Sequence, residues 1–498
     1  MREVMKNPPA EEFVQYILRP LLNKDAAYSF RHFNDINKAH LLMLLRQGIV
    51  GEDDARSIFT SIREIEEKGI ACISLDPQRE DLSSCLEAYI MERCGPDVGG
   101  RLHTGRSRND MGGTVTRMLT RDYYLQACAQ LNELRRAMLK IAQEQMQTVF
   151  TGYTCAQPAE PVTVGSVFAA YSQALLRDFS RLDALYERLN QCPLGSCAMA
   201  GTTFPIDRAM VAGLLGFDRE SGSALDGIAA RDYLLELFSV LSIYTLNLSR
   251  FCQDLYMWGT FEYQYVDIDS SVAMCSSIMP QKKNPVTLEH IKAKSAHLEA
   301  AFTSAAGALK NTPYTQVRDS SIESAHCLHD AMHEMEASTR LLIVTLETMH
   351  FNIDHMLHTA ESNFCTVSEL ANTIVREGNL SFRQAHSVVG KLVAHLLEHK
   401  LRPMDITPEL VANISREAIG YTIDLPPATI RTALDPRENA FSRQSTGGPA
   451  PEQVAIQLKE LEEALAVDMK QNERRIERLK SSRERLDSSV DAVIAGQK

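Results

Sequence analysis

Residues 114–151 read TVTRMLTRDYYLQACAQLNELRRAMLKIAQEQMQTVFT, without a glycine or a proline. Leu131, Leu134, Met138 and Ile141 step by three and four, the spacing of one apolar helix face. As one helix the stretch would extend about 57 Å. Glycine and proline are also absent from 166–192, 228–258, 286–306, 314–377 and 452–495. Helices so far beyond the usual length of about 11–12 residues predict an all-α protein organised around a bundle of long rods. Strand signals are weak and local.

The remaining composition is that of a globular chain. A length of 498 residues suggests about three domains. Hydrophobic residues make up 44% and charged residues 23%, which excludes a mainly disordered state. The 52 Lys and Arg against 64 Asp and Glu leave a net charge of -12 and a pI near 5.7. That balance argues against a nucleic-acid partner, which calls for a basic patch. It leaves room for an anionic substrate met by a local cluster of Arg and Lys. The opening MREVMKNPPAEEF lacks the apolar core and cleavage site of an export signal, and no long apolar run marks a membrane span. A cytoplasmic protein without a membrane partner is expected. The 11 cysteines include no CxxC pair, which predicts reduced, mostly buried thiols. No Cys/His cluster has zinc-ligand spacing, and no glycine-rich loop cradles a phosphate, so neither a metal nor a cofactor is expected.

Three units are expected. Residues 1–113 form an N-terminal helical region closed by Gly99-Gly100 and Gly112-Gly113. Residues 114–362 form the long-helix bundle. Residues 363–498 form a smaller, proline-bearing helical unit and a tail helix after Pro451. The Arg/Glu-rich stretch 473–485 reads as a solvated helix face.

Three polar segments interrupt the rods. Cys275-Ser276-Ser277-Ile278-Met279-Pro280-Gln281-Lys282-Lys283-Asn284-Pro285 packs two prolines, two serines and two lysines into a loop before a helix starting near Val286. A serine beside lysines can serve as a base if backbone N–H groups or a cation stabilise its alkoxide. The alternative is a surface loop that binds or carries a phosphate. Leu102-His103-Thr104-Gly105-Arg106-Ser107-Arg108-Asn109-Asp110 is rich in donors and precedes a long helix. It suits a carboxylate or phosphate held at a helix start, or else a loop capped by its own side chains. Gly152-Tyr153-Thr154-Cys155-Ala156-Gln157 is a polar break between two helices and carries little alone.

Together these segments resemble the fumarase/aspartase superfamily. The first loop resembles its GSSxMPxKxN signature, and HTGRSRND resembles the argininosuccinate lyase branch. Pro193-Leu194-Gly195-Ser196, Pro205-Ile206-Asp207-Arg208, Leu434-Asp435-Pro436-Arg437 and Gly447-Gly448-Pro449-Ala450-Pro451 look like the same branch. The resemblance implies a three-domain, all-α fold whose central helices associate into a twenty-helix homotetramer core. Each active site would draw on three subunits. It implies reversible elimination of fumarate from a succinyl group. Loss of the Cβ proton places extra negative charge on a carboxylate, which preorganised donors must meet.

By resemblance, Ser276 is the base, and Lys282 and Asn284 hold the carboxylate that gains charge. Ser107, Asn109 and Thr154 bind the succinyl carboxylates, with Arg108 also at the site. Gln157, Ser277, Met279, Tyr314 and Arg231 complete the substrate-binding set. The mobile loop would close over the substrate.

Departures gather on the amine side. The branch reads GYTH where this chain has Cys155, and the partner glutamate of that histidine is matched by Glu289. A neutral thiol is no substitute for an imidazole as a proton shuttle near pH 7. EDxH becomes Glu80-Asp81-Leu82-Ser83, and in the YNxDxQEDK region a glutamine becomes Asp319 and a lysine Ile322. Cys275 stands where the signature has glycine. This pattern predicts a lyase for an N-substituted aspartate whose amine is not arginine, such as ethylenediamine-N,N'-disuccinate. Argininosuccinate itself is the first alternative, and a catalytically silent, crystallin-like structural protein the second.

Overall fold

The computed structural model describes residues 5 and 7–497. In so far as the reading of the opening segment rests on residues 1–4 and 6, it lies outside them. The fold is all-α. Five long helices, Arg108–Glu144, Val164–Leu189, Asp232–Trp258, Val286–Leu309 and Leu328–Thr348, pack each against the next, and the last returns to the first. Leu131, Leu134, Met138 and Ile141 are buried in the resulting core beside Phe168, Leu237, Leu298 and Leu342. Each such side chain contributes about 1.5–3 kcal/mol when withdrawn from water.

The first long helix does not follow its glycine-free stretch. It starts at Arg108, six residues early, because the Ser107 backbone N–H donates to Asp110 Oδ1 at 2.9 Å and Ser107 Oγ accepts from Asn109 N at 3.3 Å. Gly112 and Gly113 therefore lie inside a helix, and the helix runs across the expected 113/114 boundary. A Cβ at Gly113 would make only ordinary contacts with Pro193, the Gly227 carbonyl and the Arg231 guanidinium, so the helix packs there without depending on the glycine. The helix also ends early, at Glu144. Gln145 O accepts from Gly165 N at 3.0 Å, and Val164 N donates to Thr148 O at 2.9 Å, so the next helix start closes the first one's end.

The break at 152–157 is a β-hairpin. Val149–Thr154 pairs antiparallel with Gln157–Thr163, with an irregularity at Gly152/Tyr153. Its two turn residues, Cys155 and Ala156, have φ of 53° and 59°. That left-handed pair is the geometry of a tight hairpin turn, which favours Asn-Gly and strains ordinary residues. Ala156→Gly is expected to relieve about 1 kcal/mol and to raise the thermal unfolding midpoint by about 1–2 °C.

The regions beyond the bundle form two further clusters. Helices Phe30–Arg46, Glu52–Lys68 and Leu82–Cys94 bury Ile36, Leu42, Phe59, Ile62 and Leu86 together. Helices Val367–Gly378, Phe382–His399, Pro408–Ile419 and Pro427–Leu434 bury Leu370, Ile374, Leu392, Ile423 and Leu434. The tail helix, Pro451–Ile494, does not sit with this last unit. Val454, Leu458, Leu461 and Leu465 enter the bundle core, and Leu486, Val490 and Val493 enter the N-terminal one. Its apolar stripe thus joins two units that are distant in sequence. No described helix is long and apolar enough to cross a membrane.

All 11 cysteines are free. Five are buried, four are intermediate, and Cys155 and Cys275 are exposed. Fewer than half are buried, so the expectation of mostly buried thiols fails, most plainly at Cys155 and Cys275 in the two polar segments.

Candidate active site

The signature loop is held at the mouth of a short hairpin. Met274–Cys275 pairs antiparallel with Lys283–Asn284, and Ser276 N donates to Lys282 O at 3.3 Å. The loop turns so that Met279 N and Ile278 N both donate to Ser276 Oγ, at 3.0 and 3.3 Å. Two aligned backbone dipoles on one hydroxyl oxygen favour its charged form. Lys283 Nζ is tied to Asp267 Oδ1 at 2.5 Å. Lys282 Nζ has no ion-pair partner among the described residues, so its charge is available to a ligand. Ser277, Ile278 and Met279 are exposed.

The first loop is rigid by comparison. Buried Asp110 accepts from Gly195 N and Cys197 N, each at 2.9 Å, as well as from Ser107. Burial pushes its carboxyl up to about 6, against the pull of these three donors. Buried Arg106 donates to Asn37 Oδ1 at 2.7 Å, and Thr104 O lies 2.8 Å from His40 Nε2. Ser107 is thus a helix cap, as the plain reading of this loop has it, and also the residue that presents Arg108 and Asn109. Arg108 Nη1 donates to Glu80 Oε2 at 2.9 Å and Asp81 Oδ2 at 3.1 Å. Asn109 Nδ2 donates to Ala198 O at 3.0 Å.

Arg231 and Tyr314 belong to the same end of the molecule. Arg231 is buried beside Gly113 and donates to Ala230 O at 2.6 Å. The Tyr314 hydroxyl donates to Asp226 Oδ1, and that bond, then burial, pushes its pKa up to about 12.

Thr154, Cys155 and Gln157 are exposed at the tip of the hairpin. Cys155 has no hydrogen bond to Glu289, whose Oε1 instead accepts from the Tyr256 hydroxyl at 3.1 Å. The hairpin and signature loop share the opposite end of the bundle from the first loop. Tyr153 Oη lies 3.4 Å from Tyr265 Oη, and Thr287 Oγ1 donates to Val272 O at 3.1 Å.

Helix length separates the two ends. The helix from Arg108 has 37 residues, about 55 Å, before the hairpin begins. The 27-residue helix after Arg231 spans about 40 Å, and the 24-residue helix between Asn284 and Tyr314 about 36 Å. Among the described residues, no hydrogen bond or ion pair joins Ser107–Asn109, Thr154 and Ser276.

Comparison with known proteins places this arrangement. A lyase family model matches residues 32–298, and an argininosuccinate lyase C-terminal model matches 364–440. The chain is 43% identical over 464 residues to argininosuccinate lyase 1 of Shouchella clausii (strain KSM-K16), covering 93% of each chain. The chain belongs to the argininosuccinate lyase branch of the fumarase/aspartase superfamily. It is 36% identical to the argininosuccinate lyase of Methanocaldococcus jannaschii, over 90% of each chain. A crystal structure of EDDS lyase in complex with formate superposes with a TM-score of 0.88 at 28% identity, covering 98% of this chain and 97% of that one. Like its branch, the protein is a fumarate-releasing carbon–nitrogen lyase.

Two amine-side departures of this branch member, Ser83 and Ile322, line one cavity together with Arg108 and Asn109. Ser83 Oγ donates to Asp81 Oδ1 at 2.6 Å, so its hydroxyl is already engaged. Sequence reading missed Asp25, Gln316 and Ser321, which line the same cavity. No motif marks Asp25, which lies in an ordinary helical stretch. Among the described residues, no group of three or more His, Cys, Asp or Glu is placed to hold a metal ion.

Proposed function

We propose that the protein eliminates fumarate from an N-substituted aspartate whose amine is not arginine, with ethylenediamine-N,N'-disuccinate as the leading candidate. The observation that carries this reading is the contrast between the two halves of the site. Ser276, Lys282, Asn284, Ser107, Asn109 and Thr154 keep the residue types that handle a succinyl group, while Ser83 and Ile322 change the wall beyond them.

Ser276 takes the Cβ proton as its alkoxide, which the Ile278 and Met279 N–H groups stabilise. The electron pair moves into the adjacent carboxylate, where Lys282 and Asn284 meet the added charge. Its return forms the C=C bond of fumarate and expels the nitrogen with the C–N electron pair. A secondary ammonium already carries its proton, so an alkylamine leaves as a neutral base without a histidine at position 155. Ser107, Arg108, Asn109 and Thr154 position the carboxylates. Gln157, Ser277, Met279, Arg231 and Tyr314 line the remainder.

Because rods of about 36–55 Å separate these groups within a chain, the site is proposed to assemble from three subunits of a homotetramer. The deciding experiment follows fumarate absorbance with argininosuccinate, aspartate and ethylenediamine-N,N'-disuccinate in parallel. Release from the disuccinate but not from argininosuccinate supports the reading; release from argininosuccinate replaces it. The 43% identity to a named argininosuccinate lyase favours that second reading. Cys155→His is expected to leave argininosuccinate cleavage weak, because Asp319 and Ile322 remain. Strong cleavage by that variant would place the specificity in the missing imidazole alone.

A further inference from the structure

The helix Val286–Leu309 starts where the signature loop ends, with Pro285 at its cap, and Glu289 N donates to Pro285 O at 3.4 Å. The Glu289 side chain therefore leaves the helix one turn, about 5 Å, beyond Asn284. The positive end of the helix favours a carboxylate in this first turn. Among the described residues its one hydrogen bond comes from the Tyr256 hydroxyl, at 3.1 Å to Oε1. No cation pairs with it there, so its charge is available to a ligand. Tyr256 reaches it from the last turn of the Asp232–Trp258 helix. Lys292 Nζ lies over the Tyr256 ring, 4.4 Å from its centroid, so the ring is held at its face as well as at its hydroxyl. The Glu289 bond, then burial, raises the Tyr256 pKa, so the phenol keeps its proton and donates it.

We propose that Tyr256 is a positioning residue for the carbon–nitrogen step: its hydroxyl aims the Glu289 carboxylate at the departing nitrogen. The inference rests on the fumarate-releasing reading above and adds the residues that attend to the nitrogen. In that reading Asn284 holds the carboxylate on the carbon that loses its proton, and the nitrogen sits on the next carbon. A group one turn from Asn284 is in range of it. In elimination the C–N electron pair leaves with the nitrogen, which keeps its own protons. In addition the nitrogen lone pair forms the C–N bond and the nitrogen becomes positive. Glu289 meets that charge in both directions, and no proton passes between the enzyme and the nitrogen. The nitrogen thus has a counter-charge in a chain whose position 155 carries no imidazole. A carboxylate fixed by a donor stabilises a developing charge better than one free to rotate into water.

The test runs the addition direction with the full-length protein, following loss of fumarate with ethylenediamine, arginine and n-butylamine and keeping the amine that the wild type adds fastest. Tyr256→Phe retains the ring under Lys292 and removes only the hydroxyl. It is expected to lower kcat/KM for the amine about tenfold and to leave KM for fumarate within about twofold of the wild type. Glu289→Gln is expected to lower kcat/KM for the amine further. The double variant is expected to match Glu289→Gln alone, because the hydroxyl acts only through the carboxylate. A merely structural role would raise both KM values together and would add to the effect of Glu289→Gln. Where release is seen but addition is not, the same variants are read as kcat/KM for release, with inhibition by fumarate in place of its KM. Wild-type kcat/KM in Tyr256→Phe, additive losses in the double variant, or a change for fumarate as large as that for the amine overturns the inference; the fumarate-releasing reading then stands. A wild type that neither consumes fumarate with any amine nor releases it from any N-succinyl amine overturns both.

Discussion

Ser276→Ala is expected to lower kcat for fumarate release by about a thousandfold while leaving the assembly unchanged. The Oγ is the only part of this side chain that meets the Ile278 and Met279 N–H groups. Removing it takes away both the proton acceptor and the atom that those dipoles stabilise. The loop lies at the surface, so water meets the two freed N–H groups and folding is spared. The loop's base is secured by the Met274–Cys275 and Lys283–Asn284 pairing, which the substitution does not touch. Fumarate absorbance reads the turnover, and sedimentation reads the assembly. Turnover near that of the wild type would remove Ser276 as the base and return the loop to a positioning role.

The second large effect is on stability. Lys38 is fully buried, and its ammonium lies 3.1 Å from Asp35 Oδ1, 2.6 Å from Glu66 Oε1 and 2.6 Å from Asp487 Oδ1. Burial alone would lower its pKa, but the three carboxylates raise it above the ordinary lysine value. Arg63 joins the same network through Glu66 and Asp487. These contacts tie two N-terminal helices to the far end of the tail helix. Lys38→Met would leave the carboxylates facing one another with one fewer cation, at an expected cost of about 3–5 kcal/mol. A denaturant midpoint that falls with its slope unchanged is the readout.

The pH dependence has a definite sign. Asp487 is held below the usual carboxylate value: burial opposes this, but Lys38 and Arg63 outweigh it. A depressed carboxylate contributes stability above its unfolded pKa and loses it as pH falls through the folded one. The difference between wild type and Lys38→Met should therefore be full near pH 7 and shrink in acid, below about pH 4. A difference that persists unchanged at low pH would mean that Lys38 acts through packing rather than charge.

The long helices were legible because their cause is local. The Leu131, Leu134, Met138, Ile141 stripe and the missing glycines state the period directly, and all four residues are buried. The helix ends were less legible, since they depend on caps and neighbours. The start at Arg108 turns on one Ser107–Asp110 bond, and the stop at Glu144 on Gly165 closing the last turn. The Cys155-Ala156 turn lacks the Asn-Gly signal that would have announced a hairpin.

The same division holds for the site. The succinyl-handling chemistry proposed above is suggested by residue types within single loops, because Ser276, Lys282 and Asn284 lie within a few residues of one another, as do Ser107, Arg108 and Asn109. The all-α architecture and the lyase branch were thus determined by the sequence itself, through helical period and short motifs. Only the tertiary structure decided that the tail helix clamps the N-terminal region to the bundle, and that Asp25 and Gln316 line one cavity. The physical reason is range. Period and capping act between neighbours a few residues apart, whereas a cavity is defined by the packing of helices whose meeting no local pattern encodes.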